Sequence, residues 1–219
     1  MMKIEIWSDI VCPFCYIGKR RFENALAKFD KKYQIEVIYK SFQLNPEIKT
    51  DMDKSVVQYL SESKGVTLEK AREMTEYVTQ QAGIEGLDYK MDKAVVANTF
   101  RSHRLLHLAL AQGLQLEMKE RLLKAYFIEG KNIDDVSILA DLAKEVGITN
   151  AEETLKNDNF TDQVKRDLME SKQIGIQGVP FFVFNGKYGI SGAQESKVFA
   201  EAIEQSFKEW EEDALQPKG

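Results

Sequence analysis

The only two cysteines of this 219-residue chain stand three positions apart, in the run Val11-Cys12-Pro13-Phe14-Cys15-Tyr16. Two thiols at C-x-x-C spacing, directly behind a short apolar run, are a redox signal. The thiolate is the form that attacks a disulfide, so the question is what holds the charge. Ile4, Ile6 and Ile10 fit a buried strand, and from Phe14 onward Ile17, Phe22, Leu26 and Phe29 recur at helical intervals. Cys12 then falls at a helix start, where unpaired backbone N–H groups and the positive end of the macrodipole favour a thiolate. Pro13 suits the first helical position, since its missing N–H would have had no partner there. Cys15, one turn on, is close enough to form a small disulfide ring with Cys12. Cys12 is therefore assigned as the attacking nucleophile and Cys15 as the resolving thiol.

The elements that must present this pair can be read along the chain. Residues 34–42 alternate as a second strand, and Asn45-Pro46 breaks it. A right-handed crossover would set the two strands parallel. From about residue 51 to 159 the period changes to 3.6 and β-branched runs disappear. Gly65, Gly83, Gly113, Gly130 and Gly147 each follow an amphipathic segment, which predicts left-handed C-caps and four to six helices. From Phe160 a further helix passes through Val164, Leu168, Met169 and Ile174. Gly178-Val179-Pro180 then leads into Phe181–Phe184, the pair Asn185-Gly186 and Lys187–Ser191, a β-hairpin signal. A last helix over about 194–211 turns Val198, Ile203 and Phe207 to the core. Without the helical block the order is βαβ-α-ββα, a small mixed sheet with helices on both faces. X-Pro is the one peptide bond for which cis costs little. With a C-x-x-C in the same fold a cis Val179–Pro180 bond is expected, presenting backbone polar groups to an extended substrate. The alternative is a trans proline opening an edge strand.

Composition narrows the function further. Hydrophobic residues make up 43% and the net charge is −5, with no Lys/Arg cluster along one face, which speaks against nucleic acid. No apolar stretch approaches the roughly 20 residues of a spanning helix, so no membrane partner is expected. Glu5 and Asp9 interrupt what would be the apolar core of a leader, and a cytoplasmic location is expected. In a reducing compartment two cysteines argue for a catalytic or sensing pair over a structural staple. Metal binding is the main alternative, because His103 and His107 lie at i, i+4 and complete a nominal Cys2His2 set. A gap of some ninety residues and the lack of a glycine-rich knuckle disfavour it, and no metal is expected. Both histidines share a face with Val96, Phe100 and Leu110 and read as packing residues. Trp7 reads as core, whereas Phe14, Tyr16 and Phe181 are candidates for an exposed apolar rim.

Together Trp7–Gly18, Asn98–Leu105 and Gly178–Phe182 resemble the DsbA-like thioredoxin-fold oxidoreductases, and more narrowly their FrnE-type branch. The resemblance implies an α/β, thioredoxin-like fold, a central mixed sheet with a large all-helical insertion. It divides the chain into a discontinuous thioredoxin-like domain, 1–45 and 160–219, and an insertion domain, 46–159. It implies dithiol-disulfide exchange with protein or low-molecular-weight thiols through Cys12, Cys15 and a cis Pro180, with no cofactor and with glutathione as a candidate co-substrate. Pro13, Phe14, Val179, His103 and Asn98 are the implied substrate contacts, the last two because the insertion of such folds covers the active site. Two departures matter: periplasmic DsbA enzymes carry a His where Phe14 stands, so a milder poise is expected, and many FrnE-type sequences have Trp there, a smaller change. The superfamily also contains glutathione-dependent 2-hydroxychromene-2-carboxylate isomerases and kappa-class transferases. These typically have Ser at the place of Cys12, and the presence of both cysteines points away from them.

Overall fold

Met2, Ile4 and Ile6 are fully buried while Lys3 and Glu5 between them are not, and this two-residue period makes Met2–Ser8 the strand β1. In the computed structural model, which describes residues 1–215, β1 lies inside a four-stranded sheet of order β2-β1-β5-β6. The other strands are β2 (Ile35–Ser41), β5 (Phe181–Phe184) and β6 (Tyr188–Ser191). β1 runs parallel to β2, from Met2 opposite Ile35 to Ser8 opposite Ser41, and antiparallel to β5, with Trp7 opposite Phe181. The crossover between β1 and β2 is the helix α1 (Pro13–Ala27). Ile10 lies outside the strand: pairing stops at Ser8, and Ile10 is buried in the turn against the helical part of the chain. Asn185 and Gly186, at φ 50° and 65°, make the turn that joins β5 to β6.

Two cores flank α1. On one face of the sheet α1 and α9 (Ser196–Leu215) enclose Ile4, Ile6, Phe22, Phe182, Phe184, Phe199 and Phe207. The Phe22 ring lies 5.5 Å from Phe182 and 5.9 Å, edge-on, from Phe199. On the other face Trp7 Nε1 donates to the Asp167 carbonyl at 3.2 Å, which ties the sheet to α8 (Thr161–Gln173). Tyr16 and Ile17, one to two turns before Phe22, belong to the second core and pack into the inserted block. α1 therefore carries its first turn away from the sheet and toward the insertion.

Residues 46–159 hold six helices: α2 (Val56–Lys64), α3 (Leu68–Ile84), α4 (Phe100–Ala111), α5 (Gln115–Phe127), α6 (Val136–Val146) and α7 (Ala151–Lys156). The block is not all-helical, because β3 (Asp51–Ser55) pairs antiparallel with β4 (Val95–Val96). Asp-Met-Asp-Lys-Ser has no apolar alternation, and its partner contributes two residues, so the ribbon leaves no period to read. Gly83 also departs from expectation. It lies inside α3, and the left-handed residue beyond that helix is Gly86, at φ 74°. The final four positions of the 160–219 segment lie outside the described residues.

Candidate active site

Cys12 is the N-cap of α1, with backbone angles of φ −84° and ψ 110°, and Pro13 follows as the first helical residue. The Cys12 carbonyl accepts the Cys15 N–H at 3.0 Å, which closes the first turn. Both cysteines are free and nearly sealed, Cys12 at 4% and Cys15 at 2% exposure. The Cys12 thiol donates to the Val179 carbonyl at 3.4 Å, and the Val179–Pro180 bond is cis. Pro180 is fixed from two sides. Its carbonyl accepts the Gly192 N–H at 2.8 Å, and its ring lies against Gly18, where a Cβ would stand 3.0 Å from Pro180 Cγ. Gly18 therefore lets the proline loop approach the helix that carries the cysteines.

The electrostatics correct one expectation. The Cys12 side chain makes no capping hydrogen bond and faces the Val179 carbonyl, and the Cys15 N–H lowers its pKa by less than the opposing influences raise it. Hydrogen bonding to Cys15, then burial, pushes the Cys12 thiol well above the ordinary range. At Cys15 burial is the largest influence and acts upward, but the Cys12 thiol, the Lys119 ammonium, the Ser8 hydroxyl and the Asp9 backbone together bring it below the ordinary value. Within the dithiol, then, Cys15 gives up its proton more readily than Cys12. The two titrate as a pair, and transfer of the Cys12 proton to Cys15 makes Cys12 the thiolate.

His103 and Asn98 are not groove residues. His103 is fully buried, with Nε2 3.2 Å from Asp9 Oδ1, and burial lowers its pKa, so the neutral ring donates to the carboxylate. Asp9 also accepts the N–H groups of Ile10 and Leu44, each at 2.8 Å. This cluster anchors the loop in front of Cys12 from behind. Asn98 donates to the carbonyls of Pro46, at 3.2 Å, and Ile48, at 2.9 Å, and accepts the Phe100 N–H, so it staples a loop to the start of α4. His107 pairs with Asp167 at 3.0 Å, so each histidine faces a carboxylate and neither faces the cysteines. Among the described residues no three His, Cys, Asp or Glu side chains are grouped as a metal site would require. Of the three rim candidates Phe14 is 40% exposed. Tyr16 is buried with its hydroxyl on Glu120 at 2.6 Å, and Phe181 lies across Gly189.

Cys12, Pro13, Phe14 and Val179 form one wall of a cleft of about 340 Å³. The opposite wall comes from the insertion: Val56, Tyr59 and Leu60 of α2, Met74 and Val78 of α3, and Met91. Cys15 is not on the wall, so a ligand in the cleft meets Cys12 alone. Two larger hollows, of 640 and 880 Å³, include neither cysteine. Ser8 and Lys119, which bear on the Cys15 sulfur, were not singled out from sequence. A signal for Lys119 exists: in Met118-Lys119-Glu120-Arg121-Leu122-Leu123 it stands at i−3 and i−4 to two fully buried leucines.

The family model described as DSBA-like thioredoxin domain matches residues 3–204. The chain belongs to this DSBA-like family. A solved structure of a probable DsbA oxidoreductase from Streptomyces coelicolor shares 36% identity with this DSBA-like chain, at a TM-score of 0.88. The match covers 95% of this chain and 91% of the other. The uncharacterized protein YwbO of Bacillus subtilis is 28% identical over 211 residues, 91% of this chain and 94% of that protein. A 2-hydroxychromene-2-carboxylate isomerase structure, 15% identical over 98% of this chain and all of its own, reaches a TM-score of 0.66, a likeness of fold alone. The DSBA-like chain thus has the thioredoxin-like fold with a mixed sheet, and among its described residues no helix is long and apolar enough to cross a membrane.

Proposed function

We propose that this chain is a cytoplasmic thiol-disulfide oxidoreductase of the FrnE-type branch that acts on disulfides flanked by apolar groups. The observation that carries the reading is the division of labour between the sulfurs: Cys12 on the wall of an apolar cleft, Cys15 off that wall and one helical turn on, its N–H bonded to the Cys12 carbonyl. Proton transfer to Cys15 leaves a Cys12 thiolate, which attacks one sulfur of the substrate, RSSR, and expels RS⁻. Cys15 then gives up its proton and attacks Cys12 Sγ, expelling the second RS⁻. The sum is Cys12-SH + Cys15-S⁻ + RSSR → Cys12-S-S-Cys15 + RSH + RS⁻, a two-electron oxidation of the pair matched by reduction of the substrate. Run backwards, the same steps oxidise a dithiol.

The cleft supports an apolar neighbour to the reacting sulfur. Its charged lining residues, among those described, are Asp9, whose carboxylate is already taken by two N–H groups and His103, and Lys64 at the mouth. Glutathione, with two carboxylates and an ammonium, would leave most of its charge without a partner in such a place. Rates of reduction of 4,4′-dithiodipyridine and of glutathione disulfide, each divided by its own rate with free cysteine, test this. The neutral aromatic disulfide is expected to gain at least tenfold more than glutathione disulfide. An equal or larger gain for glutathione, retained in Cys15→Ser, would replace this reading by the glutathione-dependent isomerase or transferase alternative, which needs no resolving thiol.

A further inference from the structure

Lys119 of α5 is fully buried, and its ammonium nitrogen has no hydrogen-bond partner. An isolated ammonium in a protein interior is costly unless something nearby carries the opposite charge. α1 presents Cys12, Cys15 and Lys19, the loop before it presents Asp9, α4 presents His103, and β2 presents the Tyr39 ring, whose centroid lies 5.3 Å from Nζ. Lys19 is already answered by Glu23 at 2.7 Å and Glu120 at 2.5 Å, and Asp9 by the Ile10 and Leu44 N–H groups and His103. His103 is neutral by burial. The anion left for Lys119 is the thiolate of the cysteine pair, to which the Ser8 hydroxyl, buried and otherwise unpartnered, is also turned.

We propose that Lys119, contributed by the insertion, is the positioning residue that sets the redox poise of the pair, holding the negative charge on Cys15 in the dithiol and becoming an unanswered buried cation in the disulfide. The inference rests on the oxidoreductase reading above. If the ammonium favours the thiolate, the thiolate favours the ammonium by the same factor. Burial draws Lys119 down to about 8, while Cys15, Asp9 and Cys12 act in the opposite direction. Closing the disulfide removes two of those three supports. The dithiol is thereby favoured over the disulfide, and the pair is a stronger oxidant than it would be without the lysine.

Two measurements test the inference. In Lys119→Met, which keeps the volume and removes the charge, the equilibrium constant for oxidation of the pair by glutathione disulfide is expected to rise about tenfold. That corresponds to a potential lower by about 30 mV. A merely structural lysine would shift Tm and leave the potential where it was. The second measurement uses the unaltered protein, so that a variant that does not fold leaves the test intact. The Lys119 side chain is followed by NMR through a pH titration in the dithiol and in the disulfide state. Its transition is expected to lie lower in the disulfide; the same transition in both states would overturn the inference. If instead no intramolecular disulfide forms at all, the oxidoreductase reading fails first, and the two failures are told apart by counting thiols before the titration.

Discussion

Cys12→Ser should reduce disulfide exchange to the uncatalysed background, whereas Cys15→Ser should attack substrate once and stop as a covalent adduct. The difference follows from the cleft. Cys12 is the sulfur a ligand can reach, and a serine hydroxyl there does not ionise in the working range, so no nucleophile remains. Removing Cys15 takes away the thiol that releases the mixed disulfide, and with it the acceptor of the Cys12 proton. Its first attack should therefore also be slower near neutral pH and recover as pH rises. Intact-protein mass spectrometry after incubation with 4,4′-dithiodipyridine reads both effects. One thiopyridyl group on Cys15→Ser and none on Cys12→Ser is the expected result. A stable adduct on Cys12→Ser at a rate comparable with Cys15→Ser would reverse the assignment of the two roles.

For stability, the largest single effect is expected at Phe199. The side chain is fully buried, its ring lies 4.5 Å from Phe182 and 5.9 Å from Phe22, and it joins α9 to both the sheet and α1. Phe199→Ala removes these contacts and leaves a cavity that rigid strands cannot fill, a cost of about 3–5 kcal/mol. For a chain of this size that lowers Tm by roughly 10 °C. Urea unfolding followed by circular dichroism should show the midpoint drop with the slope preserved. A loss below about 1 kcal/mol would mean that α9 does not close this face. α1 is shared between the two cores, so exchange should also slow in the variant while it is still folded.

How much of this was legible beforehand varies by element, and the reasons are physical. The C-x-x-C pair, the βαβ start and the Asn185-Gly186 hairpin are local patterns, set within a few residues, and each is found where expected. The ribbon of β3 and β4 joins residues some forty positions apart and lacks an apolar period, so nothing local announces it. For Asn98 and His103 both a packing role and a place on the groove were open from sequence, and the structure has them packed behind the site. A polar residue near an active site reads alike whether it faces the ligand or braces the loop behind it, and the hydrogen bonds to Pro46, Ile48 and Asp9 decide for bracing. The thiolate at Cys12 was a sound inference from the helix terminus. Against it act the hydrogen bond to Cys15 and the burial of the thiol, neither of which a helix start announces. Lys119 reaches the pair from the insertion, more than a hundred residues beyond Cys15, and only tertiary packing brings the two together.

The central claim is that Cys12 and Cys15 interconvert as one two-electron couple. Its most direct test is a redox titration of the full chain in glutathione buffers, with quenched samples read by intact mass. The account predicts that both thiols disappear together along a single two-electron curve, giving a monomer lighter by two hydrogens and carrying no adduct. Independent loss of the two thiols, or accumulation of glutathione adducts in place of the internal disulfide, would contradict it.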